Sequence, residues 1–233
     1  MLADGEITRS AMARSRRVVV KVGTAVVTRP DGRLALGRMA SLVEQIQALR
    51  DAGRQVLLVT SGAVGLGADR LGFERPPKSV VDRQACAAAG QSSLMAFYDG
   101  LFGRLGARVA QVLLTEGDFH ERHRYVHLAA TLNRLLDLGV VPVINENDTV
   151  STAEIALVGA KVFGDNDRLA ALVAAGMGAD LLVLLTDVDG VYDRPPSEAG
   201  ARRIPVLGDE SVEIGAASPQ GRGGMGSKLA SAR

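Results

Sequence analysis

At 233 residues, 47% hydrophobic and 23% charged, the chain has an ordinary globular composition and enough length for one large α/β domain or two small ones. A formal net charge of +1 and 3% aromatic residues leave no electrostatic or stacking case for nucleic acid. The single cysteine excludes an intrachain disulfide, and no apolar run reaches the ~18 residues of a membrane span.

The first 15 residues, MLADGEITRSAMARS, are mixed and polar, lack the apolar centre of a signal peptide, and read as a disordered arm. Arg9 and Arg14 suit a transit peptide, but Asp4 and Glu6 count against one, so a cytoplasmic location is expected. Five short apolar runs follow: RVVVKV (17–22), QVLLVT (55–60), VAQVLL (109–114), VVPVIN (140–145) and LLVLLT (181–186). They do not alternate with polar residues, as expected of parallel strands covered on both faces. Longer segments of helical period separate them. From Gly37 to Asp51, residues Met39, Leu42, Val43, Ile46 and Leu49 share one stripe, and segments near 81–105, 124–138 and 166–176 read similarly. This order predicts a mainly parallel sheet with helices on both faces and right-handed connections.

Two segments break the pattern. Residues 149–164 carry β-branched side chains around Gly159 and are expected to form a hairpin. Residues 191–207 hold Pro195, Pro196 and Gly200 and read as a surface loop between short strands. In open α/β sheets ligands gather beyond the carboxyl ends of the strands, and Lys21, Ser61, Asn145 and Thr186 all fall at or just past such ends.

Each motif has a chemical and a structural reading. TSGAVGLG (60–67) follows a strand and opens a helix, so it suits either an anion at the helix N-terminus or a tight turn with close helix packing. It is not a dinucleotide fingerprint, since the glycines are 62, 65 and 67. GRGGMGSK (221–228) falls short of a Walker A loop because Ser227 intervenes before Lys228 and a poor strand precedes it; a mobile loop with a phosphate-contacting lysine remains open. NEND (145–148) and GDND (164–167) suit a turn and a helix cap, or together a polar ligand with support for Mg²⁺ and lysines. His120, His123 and His127 in HERHRYVH have the spacing of one helix face and read as a solvated or interface helix rather than a metal site. Cys86, among small helix formers, reads as a buried small hydrophobe rather than a nucleophile. Ser61 lacks the pattern of a nucleophile elbow. Two lysines, clustered glycines and Asp/Asn pairs are what phosphoryl transfer asks for, since its transition state is stabilised by positioning and electrostatics.

Taken in order, VVVKVGTAVVT, LLVTSGAVGLG, CAAAGQSSLM, PVINENDTVST, FGDNDRLAAL, LLTDVDGVY and GRGGMGSKLASA resemble the glutamate 5-kinases of the amino acid kinase superfamily. CAAAGQSSLMAFYDGLF and GRGGM are similar to the kinase half of bifunctional pyrroline-5-carboxylate synthetase. The resemblance covers residues 16–233 and implies a three-layer αβα sandwich. It also implies ATP- and Mg²⁺-dependent phosphorylation of the side-chain carboxylate of L-glutamate to glutamyl 5-phosphate, which opens proline synthesis. By motif, Lys21 and Lys228 would contact the transferring phosphate, with Asp167 organising the two lysines. Ser61, Gly62, Asp148 and Asn166 would hold glutamate. Thr186 and Asp187 would lie at the nucleotide, and Arg222, Gly223, Gly224, Met225, Gly226, Ser227 and Lys228 would close over its phosphates. No protein-bound metal site is implied. Proline as a feedback inhibitor and a homo-oligomer are expected on the same ground, with neither nucleic acid nor membrane as partner.

The chain departs from the pattern in three places. Arg222 stands where bacterial glutamate kinases usually have threonine, a feature shared with the synthetases, and Gly226 replaces a hydroxyl residue. The family's kinase domain continues past the equivalent of Lys228 for a further helix and strand, so residues 16–233 are expected to be a shortened kinase domain with an exposed apolar sheet edge. Rival expectations are a sister kinase acting on another carboxylate or on carbamate, and a non-catalytic sensor of glutamate or proline.

Overall fold

A computed structural model describes residues 9–29, 33–150, 166–194, 197–205, 207, 228, 229 and 231. The elements are α1 (Arg9–Met12), β1 (Arg17–Val22), α2 (Thr24–Val27), α3 (Leu36–Asp51), β2 (Gln55–Val59), α4 (Ala63–Arg70), α5 (Val80–Arg104), β3 (Arg108–Leu114), α6 (Gly117–His120), α7 (Arg122–Asp137), β4 (Val140–Glu146), α8 (Asn166–Gly176), β5 (Leu181–Leu185), β6 (Val191–Tyr192) and β7 (Arg203–Ile204). The five apolar runs become β1 to β5 with ends shifted by at most one residue. Every pairing among them is parallel, in the order β3-β4-β2-β1-β5. The loop expected at 191–207 contains the short antiparallel pair β6–β7. The hairpin expected at 149–164 falls mostly outside the described residues.

Strand periodicity explains the layers. Alternate side chains of a strand point to opposite faces. Val18, Val20 and Val22 of β1, Val56 and Leu58 of β2, and Val141 and Val143 of β4 pack against α3 and α5 through Met39, Leu42, Val43, Ile46, Leu94, Tyr98 and Phe102. Val19, Leu57, Val59 and Ile144 face the other way, onto Leu132 and Leu136 of α7 and Leu169, Ala170 and Val173 of α8. The result is a sheet between two helical layers. Both faces are apolar, which is why the strands read as unbroken hydrophobic runs. Full burial of one such Val or Leu contributes about 1.5–3 kcal/mol.

The helix ends follow local chemistry. Ser79 caps α5 by accepting from the Asp82 amide, and Asp82 places a negative charge in the first turn. The helix closes at Gly106, whose φ of 71° is cheap only for glycine, and the chain enters β3 at once.

The three histidines do not share a helix face. Glu121, with ψ of 110°, breaks the helical run, so His120 ends α6 while His123 and His127 belong to α7. His120 and His123 pair with Glu116 and Glu121 at the surface. Cys86 is fully buried, and desolvation, aided by the Asp82 charge, pushes its thiol up, so it behaves as the small hydrophobe its neighbours suggested.

Candidate functional site

Strand parity also places the first of the expected site residues. Lys21 shares its face with Val19 and therefore points toward α8, not toward α3 and α5. It is 3% exposed, and Asp167, in the first turn of α8, is 0% exposed. Lys21 Nζ lies 2.6 Å from Asp167 Oδ1, and Lys228 Nζ lies 2.8 Å from Asp167 Oδ2. One buried carboxylate thus holds two ammonium groups drawn from opposite ends of the chain. Among the described residues two ammonium groups converge on this one buried carboxylate at the carboxyl end of a parallel sheet, where an anion would be drawn.

The neighbouring residue of α8 serves a different set. Asn166 Nδ2 donates to the Thr60 carbonyl, to Ser61 Oγ at 2.8 Å and to Asn145 Oδ1 at 2.9 Å. Asn145, at the end of β4, accepts from the Glu146 amide at 2.9 Å and donates through Nδ2 to Gln91 Oε1 of α5 at 2.8 Å. The ends of β2 and β4 and the starts of α4 and α8 are knitted together by amide groups. Thr60, on the α5 side of β2, exchanges a hydrogen bond of 2.8 Å with the Tyr98 hydroxyl.

Between Ser61 and α4 the chain turns at Gly62, with φ of 104°. A side chain there would be strained, and its Cβ would lie 2.9 Å from Val27 Cγ2. The same stretch satisfies the packing reading of the glycines. A Cβ on Gly67 would sit 1.7 Å from the Cys86 carbonyl oxygen, and one on Gly90 would sit 1.8 Å from the Ala63 carbonyl oxygen. Helices α4 and α5 cross backbone to backbone, and no side chain caps the first turn of α4. Gly65, by contrast, has open space around it.

Thr186 and Asp187 follow β5, which pairs with β1 in the register Lys21↔Leu184 and Val22↔Leu185. A Cβ on Gly23 would lie 3.6 Å from Lys21 Nζ and 3.7 Å from the Leu185 carbonyl oxygen, so the ends of β1 and β5 meet beside the lysine. Thr186 Oγ1 donates to Asp187 Oδ1 at 3.2 Å. Asp148 lies half-buried in the turn after β4, where the Val150 amide bonds the Asn147 carbonyl. The residues expected over the nucleotide, Arg222 to Ser227, lie outside the described residues. The structure therefore joins Lys21, Asp167 and Lys228 in one cluster and Ser61 with Asn166 in a second. Asn166 and Asp167 are the link between them.

Two members of the amide network, Asn145 and Gln91, were not among the site residues expected from the sequence. Asn145 was legible as a polar residue ending an apolar strand. Gln91 gives no local signal beyond a polar side chain in a helix of small residues.

The sequence pattern of the Amino acid kinase family matches residues 16–233. The chain is 48% identical over 230 residues to a glutamate 5-kinase of Symbiobacterium thermophilum, covering 97% of this chain and 86% of that protein. It is 51% identical over 225 residues to a glutamate 5-kinase of Thermus thermophilus, covering 94% of this chain and 58% of the relative. A delta-1-pyrroline-5-carboxylate synthase of Mesembryanthemum crystallinum is 47% identical over 242 residues, which are 97% of this chain and 34% of that protein. The chain thus spans about a third of the synthase and about three-fifths of the Thermus kinase. With the family pattern running through every element of the sheet and through both lysines of the ion cluster, this chain belongs to the amino acid kinase family.

Proposed function

We propose that this chain is a glutamate 5-kinase unit, transferring the γ-phosphoryl group of ATP to the side-chain carboxylate of L-glutamate and so opening proline synthesis. The observation that carries the reading is the buried Asp167 carboxylate between Lys21 and Lys228. The names of the relatives support the choice of glutamate.

The donor set fits a polyphosphate: two lysine ammonium groups brought together beside Gly23. Among the described residues no three or more acidic, His or Cys side chains cluster as metal ligands. In kinases Mg²⁺ keeps several waters and is held largely by the substrate phosphates with one or two carboxylates. When bound, MgATP supplies the phosphoryl group and neutralises part of its charge.

The chain's own residues do the rest. Lys21 and Lys228 neutralise the transferring oxygens, while Asp167 fixes the two ammonium groups in place and so removes reorganisation from the reaction step. Ser61, Gly62, Asp148 and Asn166 bind glutamate, with Thr186, Asp187 and residues 222–228 at the nucleotide. A carboxylate oxygen forms the new P–O bond as the bond to the bridging oxygen breaks, and ADP leaves with the electron pair. The nucleophile is already ionised at neutral pH, so no general base is required.

Proline inhibition, self-association and a cytoplasmic location belong to the same proposal. Among the described residues no helix is long and apolar enough to cross a membrane. The test is MgATP turnover with L-glutamate, trapping the acyl phosphate as its hydroxamate. Hydroxamate that requires both substrates is the expected result. Turnover only with another carboxylate or carbamate would move the chain to a sister kinase, and glutamate or proline binding without turnover would make it a sensor.

A further inference from the structure

The amide network has a fixed direction and an open end. The Glu146 amide can only donate, so the Asn145 atom it reaches is the oxygen. The Thr60 carbonyl can only accept, so the Asn166 atom on it is the nitrogen. Asn145 therefore presents its NH₂ to Gln91, and Gln91 answers with Oε1. What remains is Gln91 Nε2, a donor with two hydrogens, buried and without a partner among the described residues. Gln91 is 8% exposed. A buried donor left unmade is destabilising and in a folded protein calls for an acceptor.

Its surroundings say which kind. Gly90, the preceding residue, packs against the Ala63 carbonyl in the first turn of α4. The chain of bonds from Gln91 through Asn145 and Asn166 returns to Ser61, at the start of the same turn. Gln91 is thus linked, through Asn145 and Asn166, to Ser61 at the uncapped positive end of α4. It also lies on the α5 side of the sheet, whereas Lys21 and Asp167 lie on the α8 side.

We infer that Gln91 is a further substrate-binding residue, donating from Nε2 to the carboxylate of the amino acid that does not react. This rests on the glutamate reading above and extends it. The reacting carboxylate is drawn to the lysine cluster, and the α-carboxylate goes to Gln91 and the start of α4. The same amide that orients Asn145 through its oxygen then completes its hydrogen bonding on the substrate.

Two variants test this by hydroxamate kinetics, with folding checked by thermal melting. Gln91→Met is expected to raise the KM for glutamate about tenfold or more, with kcat and the KM for ATP changed by less than about twofold. Gln91→Glu separates binding from support, because its carboxyl still accepts from Asn145. Once ionised, the introduced carboxyl sets an anion against the substrate carboxylate, whereas burial favours its neutral form. Its glutamate KM should stand above that of wild type, and further above it the higher the pH. A Gln91→Glu enzyme with the wild-type KM at every pH would mean that Gln91 only supports Asn145, and it would overturn the inference while leaving the kinase reading intact. Wild-type protein that makes no glutamate-dependent hydroxamate would overturn both.

Discussion

At Asp167, a fully buried carboxylate is stabilised by two ammonium groups and in turn holds them at a fixed separation. Removing one partner of a buried ion pair costs about 3–5 kcal/mol, because the remaining charges lose their compensation. Asp167→Asn should therefore lower the melting temperature and cut kcat together. Lys21→Ala should cut kcat by orders of magnitude; near-normal turnover in purified, folded Lys21→Ala would remove it from the reaction. Tyr98 makes a different residue-scale prediction. Burial pushes its phenol from 10.0 up to about 12, with the Thr60 hydrogen bond pulling weakly the other way. A raised folded pKa means that the folded state holds its proton longer than the unfolded chain. The contribution is complete below about pH 10 and is lost as the pH rises toward 12. Tyr98→Phe should flatten that alkaline fall in stability, measured by urea unfolding at a series of pH values; an unchanged slope would contradict it.

At the scale of elements, the crossing of α4 and α5 is what sets the TSG turn against Asn145 and Asn166. Gly67 and Gly90 permit it because their Cα atoms meet backbone of the other helix, which cannot rotate aside. Gly67→Ala must push the helices apart. Overpacking of this kind typically costs about 1–3 kcal/mol, and contact with backbone places it at the upper end. Because the displaced helix begins at Ala63, the variant should also raise the KM for glutamate. Gly65→Ala, facing open space within α4, is the control and should hold or slightly raise the melting temperature, since alanine favours the helix over glycine. Equal behaviour of the two variants would show that close packing is not the role of Gly67.

At the scale of the molecule, the lateral order of the strands is held at its amino ends as well as by its core. Asp180, just before β5, accepts from the Arg16 and Arg17 amides at 2.7 and 2.8 Å, and its own amide returns a bond to the Arg17 carbonyl. These backbone donors, the Arg17 amide first, hold its carboxyl below the usual 3.8. A lowered folded pKa gives stability that is present above about pH 4 and is lost as the pH falls through the folded value. Asp180→Asn should be less stable than wild type near neutrality, and the difference should shrink in acid. A constant difference across the range would mean that the carboxylate charge is not what holds β1 to β5.

Much of this fold was legible because its signals are local. Both faces of the sheet are covered, so each strand is a short unbroken apolar run, and each helix carries its own stripe; these marks need only a few consecutive residues. The histidine run shows the limit, since spacing alone cannot reveal that the backbone at Glu121 leaves the helix. By itself the sequence determined the element order, the parallel sheet and the polar residues at its carboxyl ends. Only the tertiary structure decided which of those residues meet. Lys21 and Lys228 are separated by nearly the whole chain, and it is the parity of β1 together with the position of α8 that brings both onto Asp167. The placement of Gln91 depends likewise on a helix crossing and on the direction of a hydrogen-bond chain through α5, β4 and α8, a long-range geometry that no local pattern encodes.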